Sequence, residues 1–192
     1  MPEKQRLFFA LWPDAPIQAA IAKAGRAVAE AHQLRGRFMP SARIHLTLLF
    51  LGDVETPRVE ALTAAAAGVQ APAFDLTLRR AGSFHRSRVL WLGPDPAPPE
   101  LTALWLQLRT RAQAAGVPYD TLALSPHVTC MRDADRAIKP TPIEPIAWPV
   151  REFALVRSVL GTQPQYHVVS QWPLQAGLTQ SVKTVQDTGG PE

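Results

Sequence analysis

The sequence predicts an α+β fold of two lobes with largely antiparallel sheets, and three observations carry that expectation. Short apolar runs alternate with helical stripes, yet no glycine-rich phosphate loop follows any run, which argues against a doubly wound parallel sheet. A chain of 192 residues with 46% hydrophobic content can bury a sizeable core as one domain or two small lobes. One short unit is repeated: His45-Leu46-Thr47-Leu48 and His127-Val128-Thr129-Cys130 lie 82 residues apart, one in each half.

Arg6 to Trp12 is apolar and aromatic and stops at Pro13, as a strand does. Asp14 then caps a helix with Pro16 in its first turn and an apolar stripe of Ile17, Ile21, Ala24 and Val28, reaching about His32. Ile44 to Leu51 reads as a strand ending at Gly52-Asp53. Thr56 and Pro57 open an alanine-rich helix that ends near Gly68. Phe74–Arg80 and Arg88–Leu92 read as strands around a loop over residues 81–87. A helix follows from about Glu100 to Ala115, with Leu101, Leu104, Trp105 and Leu108 on one face. Pro126 to Met131 carries the second unit, a loop runs to about Pro149, and Glu152–Leu160 with Tyr166–Trp172 form a hairpin. Residues 1–174 are expected to make a single bilobal domain, and residues 175–192 a polar, frayed tail.

The nineteen prolines exceed the usual share of roughly 5%, and two clusters of them, at residues 94–99 and 140–149, read as connections. A formal charge of +4 modestly favours a polyanionic partner such as nucleic acid. Cys130 is the only cysteine, which rules out an internal disulfide and a cysteine-based zinc cluster and fits a reducing, cytoplasmic setting. The start has neither a signal-peptide pattern nor the length of a membrane span.

In an extended strand alternate side chains share a face, so each repeat sets an imidazole beside a hydroxyl with apolar residues behind. A single histidine of this kind is more often a hydrogen-bonded packing residue; two identical units are hard to explain by packing, because each buried polar group needs a partner. Histidine titrates near pH 6.5, so one ring serves as base while the other serves as acid. Thr47 and Thr129 can donate to non-bridging oxygens of a phosphate during in-line displacement. A metal centre is disfavoured by the absence of a His-Glu-x-x-His pattern and of carboxylates within the two runs. Serine-nucleophile chemistry lacks a Gly-x-Ser-x-Gly elbow. Arg132, just beyond the second unit, can approach an anion, whereas Arg43 reads as a solvated strand end. Phe84 with His85, Arg86 and Arg88 pairs an aromatic ring with basic groups, the combination that stacks on a base and holds a phosphate backbone.

Those units, inside Ile44–Gly52 and Ser125–Arg132, resemble the signature of the 2H phosphoesterases, and within that superfamily the RNA 2′,3′-cyclic phosphodiesterases, also called LigT-type enzymes or 2′-5′ RNA ligases. The resemblance extends from Arg6–Ala10 through Arg88–Gly93 to Ser158–Leu160 and Tyr166–Val169. It implies two pseudo-symmetric lobes whose motifs face a central cleft, and hydrolysis of an RNA terminal 2′,3′-cyclic phosphate to a 2′-phosphate without metal or cofactor. On this chain His45 would be the proton donor, His127 the proton acceptor, Thr47 and Thr129 the phosphate holders, and Arg132, Phe84 and Arg88 substrate-binding. RNA with a cyclic phosphate end, tRNA halves included, would be the partner of a cytoplasmic monomer. Cys130 replaces the usual aliphatic residue, and Arg43 and His85 also depart from the common pattern. Two alternatives stay open: the same chemistry on a small cyclic nucleotide or ADP-ribose cyclic phosphate, and an RNA-binding module without turnover. Reversible 2′-5′ joining belongs to the first reading.

Overall fold

In chain order the elements of the computed structural model are β1 (Lys4–Leu11), α1 (Ala15–Ala31), β2 (Arg37–Phe38), a 3-10 turn (Ser41–Arg43), β3 (Leu46–Glu55), α2 (Thr56–Ala66), β4 (Phe74–Phe84), β5 (Val89–Pro94), α3 (Pro99–Ala114), β6 (Val128–Arg132), β7 (Thr141–Val150), β8 (Glu152–Val159) and β9 (Gln165–Pro173). The structure describes residues 3–159, 161 and 165–176. Leu160 and most of the expected tail lie outside them.

The strands make one sheet in the order β7-β4-β5-β6-β3-β1-β8-β9, with β2 beside β6, and every strand pairing is antiparallel. The α+β expectation therefore holds. Four strands on either side form the two halves, and they meet where β3 pairs with β6 through a single residue pair, Leu46 with Val128. Beyond that pair the two strands part.

The helices lock the halves together. Although α1 lies between β1 and β3 in the sequence, it packs on β5, β6 and β7, while α3, which connects β5 to β6, packs on α2 and β3. Asp14 caps α1 by accepting from the Ile17 amide at 3.0 Å, and the helix buries Ile21, Val28 and Ala29. Gly25 lets α1 come close to β6: a Cβ there would stand 2.7 Å from that of Cys130. The core joins both halves, from Leu7, Phe9 and Leu11 of β1 to Leu90 and Leu92 of β5 and Leu104 and Leu108 of α3.

Four expectations need correction. β3 runs past Gly52 to Glu55, because Gly52, at φ +69°, takes up a bulge opposite the Leu7/Phe8 step. The 81–87 loop is shorter than expected, since β4 continues to Phe84 and pairs it with Val89. The proline-rich stretch is β7, not a loop; it lies at the sheet edge, where a residue lacking N–H costs no ladder bond, and it buries Trp148 and Val150. Gln175 is held rather than frayed, its amide donating to the Ala71 carbonyl and its carbonyl accepting from Ala73.

Candidate active site

The seam between β3 and β6 creates the site. Leu46 and Val128 point into the core, both fully buried, so the residues flanking them point to the other face. Because the pairing is antiparallel, the Leu46/Val128 register brings His45 towards Thr129 and Thr47 towards His127. All four side chains line one cleft of about 90 Å³, together with Met39, Arg43 and Arg132. Each imidazole thus faces the hydroxyl of the other repeat.

Both rings are anchored the same way. His45 Nδ1 lies 2.8 Å from the Arg43 carbonyl and His127 Nδ1 lies 2.7 Å from the Ser125 carbonyl. A carbonyl only accepts, so Nδ1 carries the hydrogen in each and Nε2 is left as the free nitrogen. Each repeat therefore sets its own tautomer through the residue two positions before the histidine.

The surroundings of the two rings differ. Trp12 continues β1 past the Leu11/Leu46 pair and stacks on His45 with centroids 4.9 Å apart and planes at 4°. Tyr166 meets that ring edge-on at 5.1 Å and Phe8 lies tilted at 5.1 Å. His127 has only Phe84 against it among the described aromatic rings, edge-on at 4.7 Å. Burial pushes His45 down to about 4; the bond to the Arg43 carbonyl opposes this, and the positive charges of Arg132, His127 and Arg43 add to it. His127 is also lowered, first by burial and then by Arg132, against its bond to Ser125. Cys130 is buried and its thiol is pushed up to about 12 by burial, so it stays protonated and serves packing.

Arg132 lines the cleft as expected. Phe84 reaches it through His127. Arg88 does not line it: at φ +52° its guanidinium turns away and donates to the carbonyls of Ala134 at 3.0 Å and Asp133 at 3.1 Å, bracing the turn that follows Arg132. Arg43, read from the sequence as a solvated strand end, is instead half-buried on the cleft wall, its guanidinium 5.3 Å from the Tyr166 ring centroid and its Nε buried without a hydrogen-bond partner among the described residues. The sequence alone did not single out Phe8, Trp12 or Tyr166. Trp12 was recoverable from β-register alone, whereas Tyr166 needed the β8–β9 pairing.

Among the described residues no group of three or more His, Cys, Asp or Glu side chains is placed to hold a metal ion, and no helix is long and apolar enough to cross a membrane.

A family described as LigT-like phosphoesterase matches residues 11–91. The chain is 36% identical over 178 residues to the RNA 2′,3′-cyclic phosphodiesterase of Escherichia coli K12, covering 91% of this chain and 99% of that one. It is 31% identical over 183 residues to the protein of the same name from Thermus thermophilus, covering 88% and 90%. The crystal structure of E. coli LigT complexed with 3′-AMP superposes with a TM-score of 0.79 at 36% identity, over 90% of this chain and 99% of that one. The chain belongs to the LigT-like phosphoesterases, the family of RNA 2′,3′-cyclic phosphodiesterases that its two motifs resemble.

Proposed function

We propose that this protein hydrolyses the terminal 2′,3′-cyclic phosphate of RNA to a 2′-phosphate without a metal ion. The observation that carries the proposal is the pair of imidazoles with both Nδ1 atoms tied to carbonyls and both Nε2 atoms free beside one small cleft. The names of the relatives from E. coli and T. thermophilus support the substrate class. In this scheme His127 Nε2 takes a proton from water as the water oxygen bonds to phosphorus. The bond from phosphorus to the 3′ oxygen breaks, and His45 Nε2 delivers its proton to that oxygen. His127 ends protonated and His45 neutral, and exchange with solvent resets them. Thr47 and Thr129 donate to the non-bridging oxygens, and Arg132 and Arg43 offset their charge.

Two features favour His45 as the acid. Its ring lies flat against Trp12, whose π-face stabilises an imidazolium. In-line displacement also puts the ribose on the side of the leaving 3′ oxygen, and the roomier flank of the cleft is the one beside His45. Before substrate binds, burial keeps that ring neutral, so the anionic phosphodiester itself supplies the negative charge that restores its proton. We take residues 1–174 as one bilobal catalytic domain, acting as a cytoplasmic monomer, with tRNA halves among its RNA substrates.

The test is a short RNA ending in a 2′,3′-cyclic phosphate, incubated with the full chain in EDTA, with product read by mass and by resistance to a 3′-specific phosphatase. A 2′-phosphate product is expected. A 3′-phosphate would overturn the assigned leaving group, and no product with RNA still bound would favour the binding-module reading.

A further inference from the structure

Two flanks open from the catalytic cleft, and their chemistry is opposite. On the His45 side a groove of about 710 Å³ carries four arginines, Arg6, Arg37, Arg43 and Arg132. On the His127 side a cavity of about 270 Å³ has no lysine or arginine among the described residues that line it, and it includes the carboxylate of Asp120 with Trp105 and Leu122. A polyanion is drawn to the first and gains nothing from the second. We infer that the RNA strand upstream of the cyclic end runs along the His45 flank, with Arg6 and Arg37 holding internucleotide phosphates and so setting a preference for oligonucleotides over mononucleotides. This rests on the phosphodiesterase reading and adds residues to it.

Placement makes Arg6 and Arg37 suited to phosphates other than the reacting one. Phe8 already touches His45, and Arg6, on the same face of β1, lies two residues further out, roughly 7 Å along the strand. Arg37 is paired in register with Arg132 through β2 and β6. Neither arginine lines the small cleft itself, whereas Arg43 and Arg132 do. Arg6 rests on the Phe50 ring at 4.8 Å and reaches Asp53 at 3.8 Å; Arg37 reaches Asp133 at 3.2 Å. Both carboxylates are well exposed, and exposed ion pairs are weak enough for a phosphate to displace.

The test compares a nucleoside 2′,3′-cyclic phosphate with di- and trinucleotides carrying the same terminus, using the full chain. The ratio of kcat/KM for trinucleotide to mononucleotide is expected to be about tenfold or more, expressed mainly in KM. Arg6→Ala and Arg37→Ala should each lower that ratio by about three- to tenfold and flatten the salt dependence of trinucleotide binding by about 0.7 in log–log slope for each phosphate no longer held. Arg37→Lys should recover much of the ratio. Asp133→Asn separates binding from support: if Arg37 serves the strand, freeing it raises the ratio; if the pair merely braces β2 against the turn, the ratio falls as in Arg37→Ala. Turnover without a length preference, or variants that lower all substrates equally, would overturn the inference while leaving the phosphodiesterase reading intact. Absence of turnover at every length would overturn that reading instead, and the groove is then tested by anisotropy of a labelled trinucleotide 3′-phosphate, which the Arg6→Ala/Arg37→Ala double variant should bind more weakly.

Discussion

The halves of this protein carry the same motif in unlike surroundings. In the β1/β3 half the residue beside the histidine is Trp12, stacked on His45, and Phe8 and Tyr166 complete an aromatic enclosure. In the β5/β6 half Leu92 pairs with Val128, so the position matching Trp12 is Gly93, where a Cβ would press within 2.8 Å of the Pro126 carbonyl oxygen. No side chain fits there, and among the described aromatic rings only Phe84 meets His127, edge-on. Identical chemical groups can thus take different roles because the neighbouring strand supplies a ring in one half and no side chain in the other. The motif provides the imidazoles, and the β-register around it differentiates them.

The most severe way to break the comparison is to remove either ring. His45→Ala and His127→Ala should each lower turnover of a cyclic-phosphate RNA by about 10²–10⁴-fold, with the double variant within a few-fold of the worse single because the two act in one step. Additive losses would mean that the halves work independently. Next come the threonines, where removal of one phosphate donor is worth roughly 10²-fold. Since register sets Thr129 towards His45 and Thr47 towards His127, double-mutant cycles with Thr→Val should show stronger coupling across the motifs than within them.

The pH profile sharpens the comparison. With both rings lowered from their ordinary value, the kcat/KM bell of the free enzyme should peak below pH 6.5 and fall as pH rises, since the acid has lost its proton. The kcat profile should sit at higher pH, because bound phosphate favours the charged ring. Trp12→Ala, which opens His45 to water, should cost about tenfold in kcat; because burial is the largest influence on that ring, its alkaline limb in kcat/KM should move up towards 6.5 even though the contact with the indole face is lost. Phe84→Ala should cost only about threefold, one edge-on ring contact being worth roughly 0.5–1.5 kcal/mol. Equal losses at Trp12 and Phe84 would erase the distinction between the two surroundings.

How much of this was legible in the sequence follows from which physical signal each residue carries. His45/Thr47 and His127/Thr129 were visible because period-two alternation states directly which side chains share a face. Helices α1 and α3 were visible from their stripes and from Asp14 and the prolines at their starts. Trp12 and Tyr166 were not singled out, because an aromatic residue in a strand reads as core unless the register beside it is known. Arg43 was read as solvated because the three-residue turn that sets it on the cleft wall leaves no periodic signal, and the bonds of Arg88 to the Ala134 and Asp133 carbonyls depend on a turn that the sequence does not spell out. β7 was hidden by prolines that an edge strand tolerates.

The smallest expected effect on chemistry lies in the helices. α3 meets its side of the molecule through the large buried side chains of Leu104, Trp105 and Leu108. α1 instead approaches β6 through Gly25, directly over the Cβ and Sγ of Cys130 at 2.7 and 2.9 Å from where a Cβ would stand. Adding that methyl group forces the helix away from the strand that carries the second motif, an overpacking cost of about 1–3 kcal/mol, or roughly 3–9 °C in Tm for a chain of this size. Gly25→Ala should therefore unfold at lower temperature while losing less than about threefold in kcat at 25 °C, since His127 is tied to its own strand by the Ser125 carbonyl. Cys130→Gly removes both the Cβ and the Sγ, so adding Gly25→Ala to that background should cost less stability than adding it to the native chain. If the cost is the same in both backgrounds, the close approach is not what the glycine is for, and α1 meets β6 for another reason.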